Sequence, residues 1–177
     1  MSTDDEARPA ARLTVLAGPS GSGRESVVEF VRARSPSVWV PVPATTRPRR
    51  EPEIDGEDRV FLTVAEFERR AAAGDLLEWS RIGPYHRGTP YPPLRARLDA
   101  GQAVLLPLDV AGAQLVRARL PDARLVLLSP PGHRPDAAVA AAFGHALTHD
   151  HTGRVADELV GLLGSSYPDP AWSRVRG

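Results

Sequence analysis

The feature that most constrains the fold is a glycine-rich turn between an apolar segment and an amphipathic one. Residues 12–17 (RLTVLA) form a short β-prone run, GPSGSG follows at 18–23, and helical periodicity continues over about 25–34. A strand that enters such a turn and leaves it as a helix brings successive backbone N–H groups together at the helix N-terminus. The pattern predicts an anion-binding loop, with a glycine turn that holds no ligand as the alternative.

Further apolar runs alternate with helical patterns along the rest of the chain. The largely apolar segments 103–108 and 124–129 are typical of strands in a parallel sheet buried on both faces. The prediction is therefore an α/β fold, a parallel sheet with flanking helices, between a disordered arm (1–11) and an irregular tail (165–177). Other predicted strands cover 38–42, 60–62 and 76–79, and predicted helices cover 63–73 (with a Thr63/Glu66 capping box), 91–100, 111–120, 136–147 and 154–163.

Composition excludes several classes of protein. The 22 acidic and 22 basic residues cancel, so no global field favours nucleic acid or an anionic membrane. The absence of cysteine excludes disulfides and thiolate chemistry. The acidic start, MSTDDEARPAAR, is unlike a signal peptide, and no apolar run reaches the length of a membrane span, so we expect a cytoplasmic protein. All 22 basic residues are arginine, which a GC-rich coding sequence explains without any functional choice.

The glycine loop departs from the usual phosphate-binding sequence immediately after its last glycine. Lysine and then serine or threonine normally follow, whereas this chain has Arg24 and Glu25. Arginine keeps the positive charge but is a wide planar fork rather than a compact ammonium, and Glu25 replaces the hydroxyl that would sit on magnesium. The candidate phosphate-binding residues of the loop are Gly18, Ser20, Gly21, Gly23 and Ser26, with Arg24 as a catalytic candidate.

Two further groups of residues favour a phosphorylated, base-bearing ligand. The sequence TTRPRR at 45–50 places several arginines after a predicted strand, where guanidinium groups clamp phosphate bidentately. Glu78 precedes Gly88-Thr89 by about ten residues. A buried glutamate accepts two hydrogen bonds from an amidine-like edge such as that of guanine, and a nearby hydroxyl completes the recognition.

With these motifs in place, the chain resembles guanylate kinase over about residues 12–131, and its helix at 157–163 resembles the last helix of that family. The resemblance implies one domain (12–164) with a phosphate-loop core, a small GMP-binding subdomain (about 43–90) and a mobile lid that carries arginines toward ATP. It implies that Arg47 and Arg50 clamp the GMP phosphate, that Glu78 and Thr89 read guanine, and that Asp109 and Gly112 end the family's DxDxxG stretch.

The same resemblance also shows positions at which this chain departs from the family's residue pattern. Pro107 stands at the first aspartate of DxDxxG, Pro43 at a serine that touches guanine, and Arg59 and Arg87 at two tyrosines that bind the GMP phosphate. The lid is reduced, because the segment between residues 131 and 149 has no room for the arginine-bearing helical pair and offers only Arg134. Phosphoryl transfer depends on positioning and on neutralising charge, so we expect ordinary ATP:GMP transfer to be lost.

The expected ligand is a guanine nucleotide or a related phosphorylated molecule. Convergence of Arg47, Arg50, Arg59 and Arg87 suits a bisphosphate or pyrophosphate group, with solvated surface positions for Arg59 and Arg87 as the alternative. Other possibilities are a repurposed enzyme of specialised metabolism, a module with a protein partner, and a functional kinase that needs Mg²⁺ and ATP. The repurposed enzyme would use the altered pocket formed by Arg59, Tyr85, His86 and Arg87, and His86 is a candidate general acid or base. No metal site is predicted: His145 and His149 have helical i,i+4 spacing, but with His151 they are expected to be solvated, since no third ligand is placed.

Overall fold

The computed structural model describes residues 12–164, so the predicted arm (1–11) and tail (165–177) lie outside the described residues. None of the helices in this range is long and apolar enough to cross a membrane. The strands are β1 (Leu13–Ala17), β2 (Ala44–Thr45), β3 (Val60–Phe61), β4 (Leu76–Ile82), β5 (Tyr85–Pro90), β6 (Val104–Leu108), β7 (Arg124–Ser129) and β8 (His145–Thr148). The helices are α1 (Arg24–Arg34), α2 (Val64–Ala72), α3 (Tyr91–Asp99), α4 (Val110–Arg119), α5 (Ala137–Phe143) and α6 (Thr152–Gly164).

The larger sheet has the strand order β6-β1-β7-β8, and all its pairings are parallel. Alternate residues of β1 enter different cores: Leu13 and Val15 pack with residues of α3 and α4, whereas Leu16 packs with residues of α1 and α6. Because both faces are covered by helices, these strands are apolar throughout. The predicted α/β fold with a buried parallel sheet is confirmed.

The smaller sheet takes all its strands from residues 44–90, in the order β3-β2-β5-β4. Its β2–β5 and β4–β5 pairs are antiparallel, and it has its own small core of Ala44, Phe67 and Leu76. The capping box predicted from the sequence is present: Thr63 accepts from the backbone N–H of Glu66, and the Glu66 carboxylate accepts from that of Thr63. This sheet holds its residues opposite the carboxyl edge of the larger sheet, across a cavity described below.

Two predicted elements differ from the structure. The strand expected over 38–42 is reduced to a single bridge between Trp39 and Val104, since Pro41 and its neighbour at 43 have no N–H to donate to a ladder. The helix expected over 136–147 ends at Phe143, where Gly144 has a φ of +72°. The chain then forms β8, which pairs with β7; strand pairing of this kind depends on a distant segment and overrides the helical pattern.

Candidate functional site

The glycine loop leaves the carboxyl end of β1 and opens at the start of α1. The Gly18 N–H donates to the carbonyl of Leu108 over 3.2 Å, which ties the loop to the end of β6. Gly21 and Gly23 have φ angles of +79° and +85°, in the left-handed region that favours glycine. Gly23 caps α1 and has no side chain with which to bond the N–H groups of the first turn, and no other side chain of residues 12–164 bonds them.

The loop is also tightly enclosed. A Cβ added to Gly18 would lie 2.6 Å from both the Leu128 carbonyl oxygen and the Ser22 Oγ. Ser22 is only 2% exposed, and its hydroxyl has no hydrogen-bond partner in the described part of the chain. Of the other candidate phosphate ligands, Ser20 lines the cavity described below, whereas Ser26 is exposed on α1 and does not.

The His149 ring packs against the glycine loop at Ser22 and Gly23. Its Nδ1 lies 2.7 Å from the Ser22 carbonyl oxygen and its Nε2 lies 2.9 Å from the Thr152 Oγ1. Because a carbonyl only accepts, Nδ1 carries a proton and donates it. In the neutral ring, Nε2 then accepts from the threonine hydroxyl. The ring fills the space beside Gly23, where an added Cβ would lie 2.2 Å from the histidine Cε1.

The expectation for the histidine cluster is therefore wrong for His149, which is part-buried and hydrogen-bonded rather than solvated. His145 lies in β8 and His151 next to the start of α6, so the assumed helical i,i+4 relation between His145 and His149 does not exist. Within residues 12–164 there is no group of three or more His, Cys, Asp or Glu side chains that could hold a metal ion. No local sequence pattern indicates the contact of His149 with Ser22, because 127 positions separate the two residues.

A cavity of about 670 Å³ lies between the glycine loop and the smaller sheet. It contains basic and acidic side chains in similar numbers, and two of the prolines noted in the sequence, Pro43 and Pro107, form part of its wall. Five of the sequence-predicted site residues line it: Ser20, Arg24, Arg59, Arg87 and Asp109. The remaining charged lining residues are Glu25, Glu29, Arg32, Glu57 and Asp58.

Glu78 and Thr89 form a buried pair on neighbouring strands beside this cavity. The Thr89 hydroxyl donates to Glu78 Oε1 over 2.6 Å, and the two residues are 2% and 5% exposed, threonine first. Burial raises the pKa of Glu78 above its usual value; the Thr89 hydrogen bond and the charge of Arg87 act in the opposite direction, and Asp109 adds to the increase. Arg87 and Asp109 both line the cavity, so the glutamate carboxylate lies close behind its wall.

Asp109 and Gly112 serve the fold as well as the cavity. Asp109 caps α4 by accepting from the Gly112 N–H over 2.7 Å. A Cβ on Gly112 would lie 3.0 Å from Asp109 Oδ1 and 3.4 Å from Glu78 Oε2, so glycine lets the first turn of α4 approach both carboxylates. Asp109 is thus placed at the cavity by a helix cap.

The arginine clamp differs from the sequence expectation. Arg47 donates two hydrogen bonds to the carboxylate of Glu53, at 2.6 and 2.9 Å, and Arg59 Nε lies 3.5 Å from the same group. Arg50 contributes only its backbone N–H to Glu53, at 2.8 Å. Arg47 and Arg50 do not line the cavity, so the four arginines do not converge on one open pocket; Arg59 and Arg87 line it, while Glu53 occupies the clamp.

Sequence reasoning missed Glu53. The available signal was an acidic residue three positions after Arg50 in an arginine-dense stretch, where a turn between Arg50 and Glu53 brings its carboxylate back to the guanidinium groups. The hydrogen bonds from Arg47, followed by that from the Arg50 backbone, lower the pKa of Glu53 to about 2.

This shift predicts a pH dependence of stability. A carboxylate whose pKa falls from 4.5 to about 2 on folding stabilises the folded state fully above pH 4.5, and this contribution is lost as the pH falls toward 2. We expect Glu53→Gln to lose stability at pH 7 and to flatten the decline in the free energy of unfolding over that range. Urea unfolding at several pH values measures it. Glu51→Gln, which alters an exposed ion pair with Arg49, should keep the wild-type slope; equal slopes for both variants would contradict the assignment.

His86 is turned away from the cavity. Alternation along β5 places Arg87 toward the cavity and the His86 ring on the opposite face, stacked on Phe67 at 5.2 Å and close to Trp79 at 5.9 Å. Its backbone N–H donates to the Thr46 hydroxyl, and its carbonyl accepts from the Thr46 N–H. The expectation of a general acid or base in the ligand pocket is therefore not supported by its position; the residue joins β2 to β5.

The segment between β7 and β8 packs onto the core. Phe143 of α5 is 2% exposed and belongs to the same cluster as the strand residues of the larger sheet, with Val139 packed against it. Arg134, the arginine available in this segment, is exposed and does not line the cavity.

The fold and the site define a P-loop α/β protein of the nucleotide-binding class. The defining features are the parallel sheet, the glycine loop between β1 and α1, and the smaller sheet with its buried glutamate. The family model described as "Guanylate kinase" matches residues 10–139. The chain belongs to the guanylate kinase family.

Individual relatives of the chain support the same family assignment. The chain is 52% identical over 120 residues to a protein named guanylate kinase from Thermobifida fusca, covering 68% of this chain and 61% of that protein, less than two thirds of its length. It is 37% identical over 187 positions to one from Gloeobacter violaceus, covering 91% of each. A solved guanylate kinase from Anaplasma phagocytophilum superposes with a TM-score of 0.69 over 89% of this chain and 87% of that chain; at 22% identity it shows the fold alone.

Proposed function

We propose that this chain binds a guanine nucleotide, or a related phosphorylated ligand, in the cavity between the glycine loop and the smaller sheet, and that ordinary ATP:GMP phosphoryl transfer is lost. The observation that carries the proposal is the buried Glu78–Thr89 pair beside a cavity lined by guanidinium groups.

The chemistry of this pair suits a base with adjacent N–H donors. Oε1 of Glu78 is engaged by the Thr89 hydroxyl, and Oε2 accepts no hydrogen bond from residues 12–164. A buried carboxylate with a free oxygen is costly unless a donor reaches it. The Watson–Crick edge of guanine offers two neighbouring donors, which an ionised carboxylate accepts and an adenine edge does not supply.

The loss of transfer is supported by the residues of the cavity itself. Arg24, Glu25 and Pro107 line it at the positions where the family resemblance places a lysine, a hydroxyl and an aspartate. The segment that would form the lid packs onto the core through Phe143. The alignment with the Gloeobacter relative extends over 187 positions, more than the 177 residues of this chain, so this chain lacks residues that the relative carries.

The cavity does not fit a magnesium ion held between the loop and a nucleotide. Magnesium prefers oxygen ligands in octahedral geometry. Of the carboxylates near the loop, Asp109 already accepts a hydrogen bond from the Gly112 N–H. Asp109 and Glu25 both interact electrostatically with the Arg24 guanidinium. The positive charge of Arg24 opposes the approach of a metal cation to these two carboxylates, and we assign no metal-dependent step.

Two measurements test the proposal. Calorimetry should detect GMP binding, and an assay of ADP release with GMP, ATP and Mg²⁺ should give turnover at least about 1,000-fold below the common kinase range, because losing one charge-stabilising group costs about 100–1,000-fold. The double variant Arg24→Lys/Glu25→Ser should not restore turnover, since Pro107 and the short segment remain. Arg81→Ala, an exposed arginine outside the cavity, is the matched control.

The second candidate is a functional guanylate kinase, which the names of the relatives favour. Turnover in the ordinary range of about 1–100 s⁻¹ would establish it and refute the loss of transfer. Failure to bind any nucleotide would refute the binding proposal and leave a protein-interaction module as the alternative. The position of His86 gives no support to a repurposed enzyme that uses it as acid or base.

A further inference from the structure

The smaller sheet has an open edge along β4, the last strand in the order β3-β2-β5-β4. β4 pairs with β5 without interruption from Trp79 to Ile82, after a bulge between Leu76 and Trp79. Arg119 closes the start of this edge by donating to the carbonyl oxygens of Leu76 and Gly74, at 2.6 and 2.8 Å. In the described part of the chain, no group outside the smaller sheet bonds the backbone of β4 beyond Leu76. The remaining edge therefore has backbone groups with which another strand can pair.

A groove of about 710 Å³ follows this edge between α2 and α4. Its walls include Ala71 of α2, Trp79 of β4, and Leu115 and Ala118 of α4. Trp79 is 45% exposed and Leu115 is 50% exposed, while Ile82, farther along β4, is 56% exposed. Large exposed apolar side chains that cluster beside an open strand edge indicate a surface that another chain covers.

Alternation along β4 divides its exposed side chains between two faces. Trp79 and Arg81 share one face, on which the indole ring lies 6.0 Å from the ring of Phe67. Both residues lie outside the nucleotide cavity. Ser80 and Ile82 share the opposite face, and Ile82 lies at the rim of the cavity.

One symmetry operation brings complementary groups of the first face together. A two-fold axis through Ser80, perpendicular to the sheet, aligns two copies of β4 antiparallel and keeps each face on its own side. Residues at equal distances from Ser80 then lie opposite each other, so Arg81 of each copy lies opposite Trp79 of the other. A guanidinium group over an indole ring is a favourable cation–π contact, and the symmetry provides this contact twice.

The same register brings apolar groups of the second face together. Ile82 of one copy lies opposite Glu78 of the other, and Glu78 faces the first turn of α4, where a Cβ on Gly112 would lie 3.4 Å from its Oε2. Leu115 lies one turn farther along the same side of α4. Ile82 of each copy therefore covers Leu115 of the other. The formal net charge of zero adds no overall repulsion between the copies.

We propose that this chain forms a homodimer by antiparallel pairing of two β4 edges about a two-fold axis at Ser80. A second copy is the occupant of the edge because this chain supplies both partners of each contact, the guanidinium and the indole on one face and the isoleucine and the α4 wall on the other. The dimer goes beyond nucleotide binding and does not depend on it, since Trp79, Arg81 and Leu115 do not line the cavity.

Sedimentation velocity of the full chain over about 1–300 µM tests the dimer. The mass should rise with concentration from that of one chain toward that of two, with a dissociation constant of about 10–100 µM, because two short strands bury a small area. Leu115→Glu should weaken the dimer at least about 10-fold, since symmetry places the new charge in the interface twice. Val64→Glu is the matched control, because Val64 is 48% exposed on α2 but lies outside the groove. Arg81→Ala should weaken the dimer about 5- to 30-fold and leave the affinity for GMP unchanged.

A single cysteine at Ser80 tests the register. The chain contains no cysteine, so the thiol of Ser80→Cys reports on that position alone. Directly opposite residues of an antiparallel pair have Cβ atoms about 4.5–5.5 Å apart, close to the separation in a disulfide. Oxidation with copper–phenanthroline should convert most of this variant to a covalent dimer. Ser37→Cys, at an exposed position outside β4, should remain monomeric under the same conditions. Urea unfolding verifies that each variant is folded.

The possible results separate the dimer from other uses of the edge. A chain that stays monomeric at about 300 µM would overturn the proposal and leave the groove to an extended segment of another protein. A dimer that Leu115→Glu and Arg81→Ala weaken no more than Val64→Glu does would place the contact elsewhere and overturn it as well. Equal cross-linking of the two cysteine variants would refute the register. Calorimetry with GMP measures nucleotide binding separately, so either proposal can fail without the other.

Discussion

Replacing Glu78 by glutamine should lower the affinity for GMP by about 100-fold or more, because a site built to hydrogen-bond a ligand leaves buried polar groups unpaired when one partner changes. Glutamine keeps the size of the side chain and an oxygen for the Thr89 hydroxyl, but presents an amide donor where the base needs an acceptor. Calorimetry of GMP binding measures the loss. Glu68→Gln, an exposed glutamate on α2 outside the cavity, is the matched control.

The same substitution should not destabilise the fold as strongly as it weakens binding. Burial raises the pKa of Glu78, so the ionised carboxylate opposes folding at neutral pH, and this cost is relieved as the pH falls toward its usual value of 4.5. GMP affinity should change in the opposite sense, falling with pH through the raised pKa as the acceptor is protonated. Glu78→Gln should abolish that pH dependence; an unchanged affinity and profile in the variant would remove the residue from the site.

Replacing Gly23 by alanine should cost about 2–4 kcal/mol of unfolding free energy and disrupt anion binding at the loop. The φ of +85° disfavours any side chain by about 1–2 kcal/mol, and the new methyl group would lie 2.2 Å from the His149 ring. Either the ring moves and breaks its hydrogen bond to the Ser22 carbonyl, or the loop moves. Urea unfolding with a parallel titration of pyrophosphate measures both effects.

Gly21→Ala is the matched control, because Gly21 has a φ of +79° and an added Cβ would have no atom within 4 Å. It should show the backbone cost without the collision. The double variant Gly23→Ala/His149→Ala should be more stable than the sum of the single effects predicts, since removing the ring leaves room for the methyl group. Strict additivity would show that His149 does not support the loop.

The parts of the fold predicted from sequence are those whose signals are local. Apolar runs long enough to be buried on both faces identified β6 and β7, and the glycine turn placed the start of α1 within one residue. The capping box of α2 requires only Thr63 and Glu66, three residues apart, and it was found. In each case a short stretch of sequence contains both partners of the interaction.

The missing parts depend on partners that are distant in sequence. β8 exists because β7 lies beside it, β5 because it pairs with both β2 and β4, and neither fact is visible in their own residues. The site follows the same rule. Glu78 and Thr89 were paired from their chemistry, and the family resemblance then assigned both to guanine. The contact of His149 with the glycine loop and the contact of Glu53 with Arg47 could not be predicted without the folded chain.

The Glu53 carboxylate has a further consequence for which anions can bind to Arg47. A phosphate that reaches Arg47 must first displace an internal carboxylate held by two hydrogen bonds, so binding there exchanges one ion pair for another. Exchange of this kind yields only the difference between two similar interactions, and no counter-ion from solution is released. We therefore expect weakly charged anions to compete poorly with Glu53 for Arg47, and the contribution of Arg47 to ligand affinity to depend little on ionic strength.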